Sequence, residues 1–261
     1  MSLFNKKSSS SEKEEEDTLI NEDEFELENI KIIPLEDEEI EMTPVSKNNS
    51  KAEEYYKQTN NEIDPFISCF PTSMINAGAT IGVEFPKDDS KTHGYVQPED
   101  QYNWYLETNE TCKKFWSKPE FASYVKNPEN HPRELWEVEE YCFNKWVGAD
   151  ICKYVPNITI QRIVDLLNRG GAVVTSGKFC GFSHVVAIVG FKANAIDKNN
   201  IKEDEVTHFI VDDSYGNPFN NYKPVGVGGN DLEWEKDKFL AAINKGKGDK
   251  ASYNAILFGE A

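Results

Sequence analysis

Cys69 stands where a polar loop gives way within a few residues to an apolar helix-forming run, Cys-Phe-Pro-Thr-Ser-Met-Ile-Asn-Ala. A cysteine at a helix start meets free N–H groups and a partial positive charge, and both stabilise a thiolate. Read by itself it is equally a small buried structural residue. None of Cys112, Cys142, Cys152 and Cys180 opens an apolar helix behind a polar loop. A thiol nucleophile needs a base beside it. Of the four histidines, His93 and His131 lie in polar loops and His208 inside a strand-like run, whereas His184 heads the apolar segment HVVAIVGF. From the end of such a strand an imidazole can project into a cleft. The base needs a group that holds its tautomer, and Asp212-Asp213 closes the segment VTHFIVDD. If residues 184–191 and 206–213 pair as a hairpin, that end lies beside His184. Side chains alternate along a strand, so only one of the two carboxylates can face the ring; Asp213 is the expected one. Gln58, upstream in YYKQTNNEIDP, is a candidate donor to an oxyanion alongside the Cys69 N–H. Nothing local singles it out from any loop glutamine.

The elements that must position these groups are legible in part. Residues 70–81 read as a compact helix, with Pro71 tolerated in its first turn. Residues 98–116 and 133–146 have helical spacing of large side chains, among them Trp104, Leu106, Phe115, Leu135, Trp136 and Trp146. Residues 159–168 form the clearest helix, with Thr159 as N-cap and Gly170-Gly171 as stop. Segments 172–177, 184–191, 206–213 and 252–259 read as strands. Helices first and strands second give an α+β class with a helical part followed by a small antiparallel sheet. Residues 1–50 carry 15 acidic side chains against 5 lysines and read as a disordered acidic tail. The tail's apolar islands, Phe25, Ile30, Ile32, Ile33 and Leu35, suit docking on a partner. Residues 51–261 read as one domain, and removal of the tail is expected to leave its stability unchanged.

The net charge of −18 argues against nucleic acid and anionic membranes as partners, since both require a basic surface. No apolar run approaches the ~20 residues that span a bilayer, and the N-terminus lacks the apolar stretch of a secretory signal. A cytoplasmic or virion-associated protein is expected. Five cysteines without a CxxC pair suggest reduced, mostly buried thiols. The segment GVGGN lacks the helix that would make it a phosphate loop, and no His/Cys set has zinc spacing. No cofactor or metal is expected.

Three blocks in order carry a family resemblance. Residues 55–75, YYKQTNNEIDPFISCFPTSMI, resemble the Gln-x-x-Asn…Cys-x-x-Thr-Ser block of the double-glycine-leader-peptidase-like cysteine peptidases. RIVDLLNRGGAVVTSGKFCGFSHVVAIVGF is similar to that family's helix, strand and histidine-strand block, and FIVDDSYGNPFNNYK to its closing acidic block. HGYVQPEDQYNWYL and HPRELWEV resemble the inserted helical region of phage and bacterial versions. Phe70 stands where the family often has Gly, and Ser214 where Pro is common. The resemblance implies a papain-like fold and peptide-bond cleavage through a Cys69 acyl-enzyme, with His184 as base, Asp213 as orienting group and Gln58 as oxyanion donor. The implied substrate is a phage or host protein, or the stem peptide of peptidoglycan. The alternative reading is a non-catalytic peptide- or protein-binding module on the same fold.

Overall fold

β-branched and aromatic residues dominate the second half of the chain, and in the computed structural model they build a seven-stranded sheet in which every pairing is antiparallel. The structure describes residues 41–51, 53, 55–127, 130–179, 181–244 and 253–260. Residues 1–40 of the acidic tail, and Cys180, lie outside the described residues. The strands are β1 (Thr43–Asn48), β2 (Cys152–Ile158), β3 (Ala172–Phe179), β4 (Phe182–Ala195), β5 (Val206–Asp212), β6 (Leu232–Glu235) and β7 (Tyr253–Phe258). Their order across the sheet is β2-β7-β3-β4-β5-β6, with β1 added to β4.

Between β1 and β2 comes the helical part: α1 (Cys69–Thr80), α2 (Asp89–Thr92), α3 (Pro98–Thr108), α4 (Glu110–Trp116), α5 (Pro119–Val125) and α6 (Trp136–Val147). Two further helices, α7 (Ile160–Asn168) and α8 (Lys236–Asn244), are interleaved with the strands. The α+β layout therefore stands. The single helix expected over 98–116 is two. Asn109 adopts an extended backbone and its side chain accepts from Thr111 N, so the residue ends α3 and caps α4. Thr159 caps α7 as expected, accepting from Arg162 N.

Alternation along the strands feeds two cores. Val173, Val186, Ile188, Val211 and Leu257 pack with Ile163, Leu167 and Phe239 of α7 and α8. Val174, Val185, Ala187, Ile210 and Phe258 pack with Met74, Ile75, Leu106 and Phe143 of α1, α3 and α6. The sheet is thus a middle layer between two helical ones. An irregularity in the β4–β5 register between Ile188 and Gly190 reverses the alternation, which puts Phe191 in the first core.

The boundary read at residue 50 is corrected by β1. Thr43–Asn48 pairs with residues 190–195 of β4 on the edge that β3 uses further back. Beyond the strand, Asn49 Nδ2 donates to Leu167 O and Gly171 O, and Lys47 donates to Asn168 O. Three carbonyls in and just after the last turn of α7 are met from β1 and the residue after it, Leu167 O in addition to its bond from Gly170 N. Contact is so close that a Cβ on Gly190 would lie 2.1 Å from Lys47 O. The acidic composition of the preceding forty residues hid this strand. A short run of Thr, Val and Ser carries too little apolar periodicity to be read without its partner edge. A chain starting at residue 51 is therefore expected to melt roughly 5 °C or more below one starting at residue 41, at about 2–4 °C per kcal/mol for a domain of this size. Thermal melts of the two truncations check this; equal melting temperatures would show that β1 adds nothing.

Candidate active site

Cys69 is the first residue of α1, and the chain enters it through a buried polar lattice. Ser68 precedes the helix, and its side chain makes no capping bond to the first turn; its hydroxyl accepts instead from Asn61 Nδ2 at 2.9 Å. The same amide reaches Thr72 Oγ1 at 3.2 Å. The first-turn N–H groups beside the thiol are therefore left without a side-chain cap. Ser73 Oγ donates to Val185 O at 3.0 Å, which ties the helix carrying the thiol to the strand carrying His184, next to the histidine itself.

His184 is the third residue of β4 and is 3% exposed. Its Nε2 lies 2.7 Å from Asp213 Oδ1. The Cys69 side chain lies near enough to act on the ring's protonation, and the two open on one cleft. With Nε2 committed to the carboxylate, Nδ1 is the nitrogen left for the sulfur. Phe179, Phe182, Tyr215 and Tyr222 stand around the ring with centroids 6.0–6.3 Å away and steep interplanar angles. They hold its plane and keep water from its sides.

Asp213 follows the last residue of β5, which pairs with β4 as the hairpin reading expected. It is the carboxylate that reaches His184. Asp212 is turned to the other side, where Oδ2 accepts from Ser50 Oγ at 3.2 Å and Oδ1 from Asp231 N at 2.9 Å. Asp213 is over-determined. Oδ1 also accepts from Tyr215 N at 3.0 Å, and Oδ2 from Tyr222 Oη at 2.9 Å. Its backbone N–H donates to Gly229 O at 2.8 Å and its carbonyl accepts from Tyr55 Oη at 2.6 Å. A Cβ on Gly229 would sit 2.0 Å from Asp213 O, so the glycine-rich GVGGN segment is the close-packed backing of this aspartate.

Gln58 is 1% exposed and lies beside Ser214: its Oε1 accepts from Ser214 Oγ at 2.8 Å and its backbone N–H donates to Ser214 O at 3.1 Å. One amide hydrogen donates to Pro65 O at 3.1 Å. The structure thus brings Cys69, His184 and Asp213 together, with His184 hydrogen-bonded to Asp213 and sharing a cleft with Cys69. Gln58 packs against the residue after Asp213 and is not among the residues that line the cleft.

That cleft is a cavity of about 300 Å³ on which Cys69 and His184 open together, with Phe66, Ile67, Arg133, Glu134 and Trp136 as further walls. In the sequence Trp136 reads as a packing residue, and nothing marks Tyr55, Tyr215, Tyr222 or Arg133 for a role at the site. No local spacing could have marked Tyr55, which lies 158 residues before the carbonyl it holds.

Burial by itself would push the His184 pKa down. The charge and hydrogen bond of Asp213, with the Cys69 side chain adding to them, outweigh burial and push it up to about 10. The ring then keeps its proton at neutral pH. Asp212 behaves oppositely: burial pushes its carboxyl up to about 7, against the hydrogen bond from Asp231 N. Among the described residues no group of three or more His, Cys, Asp or Glu is placed to hold a metal ion. No described helix is long and apolar enough to cross a membrane. No protein-family model and no curated protein matches the chain.

Proposed function

We propose that this protein is a cysteine peptidase or amide hydrolase of papain-like type, working through Cys69, His184 and Asp213. The observation that carries the reading is the chain of contacts from the Cys69 thiol to the His184 ring and on to Asp213 at 2.7 Å, with the thiol at the head of a helix and open to a cleft. A structural cysteine has no use for an oriented, carboxylate-backed imidazole. In the reaction the thiolate adds to the peptide carbonyl carbon, and the resulting oxyanion lies at the N-terminus of α1, with the Cys69 N–H as donor. Gln58 serves as second donor if its amide turns from Pro65 O on substrate binding. The His184 imidazolium gives its proton to the leaving amine as the C–N bond breaks. The ring, now neutral, takes a proton from water, which attacks the thioester and frees the acid. Asp213 keeps one tautomer throughout.

The test is an electrophilic peptide probe, such as a peptidyl acyloxymethyl ketone, incubated with the full chain at neutral pH and mapped by mass spectrometry. Adduct formation at Cys69 at least about a hundredfold faster than at Cys112, Cys142 or Cys152 is expected, because those three are buried. An unreactive Cys69 would leave a binding protein in place of an enzyme.

A further inference from the structure

The wall of the cleft opposite the sheet is unevenly charged. Arg133 is buried, and its guanidinium is already matched: NH2 is 2.5 Å from Asp64 Oδ2, and NH1 is 3.3 Å from Glu107 Oε1 and 2.8 Å from Asn103 Oδ1. Its positive charge is therefore answered twice before a ligand arrives. Glu134, the next residue, is exposed on the same wall. It accepts only neutral donors, from Tyr124 Oη and His131 N, and no cation pairs with it among the described residues. Phe66, Ile67, Phe70 and Trp136 give the same cleft an apolar lining. Trp136 is fixed edge-on to Phe70 at 4.6 Å and stacked on Tyr154, while Ile67 and Phe66 are 47% and 77% exposed at the mouth. A long aliphatic stem fits such a surface, and a cation at its tip meets Glu134. A purely apolar side chain would leave the Glu134 carboxylate facing it, and an acidic one would be repelled. The net charge of −18 steers in the same direction.

We propose that the cleft beside Cys69 takes a lysine or arginine side chain of a polypeptide substrate, with its stem on Trp136 and Ile67 and its charged head on Glu134. The substrate class rests on the peptidase reading; the binding preference does not. The test therefore uses binding, with the Cys69→Ala chain and fluorescein-labelled heptapeptides that differ only in a central Lys, Arg, Leu or Glu. Fluorescence anisotropy should show Lys and Arg peptides binding about tenfold tighter than Leu and tighter still than Glu, with the preference lost when Glu134→Gln is added. Leu binding as tightly as Lys, or a Lys preference that survives Glu134→Gln, overturns the assignment. Turnover of the Lys peptide by the unsubstituted chain is scored separately. Selective binding without turnover rejects the hydrolase and keeps the cation site, whereas turnover without the preference does the reverse.

Discussion

Cys69→Ala is expected to lose at least about a thousandfold of hydrolytic activity on any peptide the parent chain cleaves, and to melt within a few degrees of it. The asymmetry follows from where the sulfur sits. Cys69 is only partly buried and opens on the cleft, so removing its sulfur leaves no void in the core. Alanine is a good residue for the first turn of α1. The lattice that seats the helix runs through Asn61, Ser68, Thr72 and Ser73, not through the thiol. His184→Ala tests the same chemistry less cleanly, because it strands the buried Asp213 carboxylate without its partner and is expected to unfold the site. Turnover that survives in a homogeneous, folded Cys69→Ala preparation would remove the nucleophile from the scheme.

The two adjacent aspartates give the second large contrast. Asp213→Ala is expected to lower the rate by about 10²–10⁴, and Asp213→Asn by at least about tenfold, because His184 then loses its orienting charge. Asp212→Asn is expected to stay within about twofold, since Asp212 contacts Ser50 and Asp231 rather than the ring. Stability should separate them as well. His184 is held above its ordinary pKa of 6.5, at about 10. Its contribution is fully present below pH 6.5 and fades as the pH rises through 10, so Asp213→Asn destabilises most near pH 6. Asp212 is also held high, at about 7 against 3.8. A raised carboxyl favours the folded state below pH 3.8 and loses that contribution as the pH rises through 7. Asp212→Asn, which cannot ionise, should therefore melt higher than the parent chain at pH 9 and gain nothing at pH 4. Rates and melting curves across this range check both. A larger rate loss in Asp212→Asn than in Asp213→Asn would assign the orienting role to the wrong carboxylate.

Several features of this protein are determined locally. The helix behind Cys69, the cap at Thr159, the apolar run after His184 and the hairpin that returns to Asp212-Asp213 depend on residues within a few positions of one another, or on one strand pairing. Periodicity and capping chemistry express such short-range physics directly. Alternation left two aspartates to choose between, and the fold chose Asp213. Only the tertiary structure decided what surrounds that choice. Tyr222 and Tyr215 reach back to the Asp213 carboxylate from a loop, Tyr55 and Gly229 fix its backbone, and Ser50 draws Asp212 to the opposite side. The recruitment of β1 to the edge of β4, and the pairing of Arg133 with Asp64 and Glu107 in the cleft wall, are of the same kind. These contacts join segments up to 162 residues apart. The long-range ones join residues with no periodic signature, and two cores on opposite faces of one sheet bring their segments together.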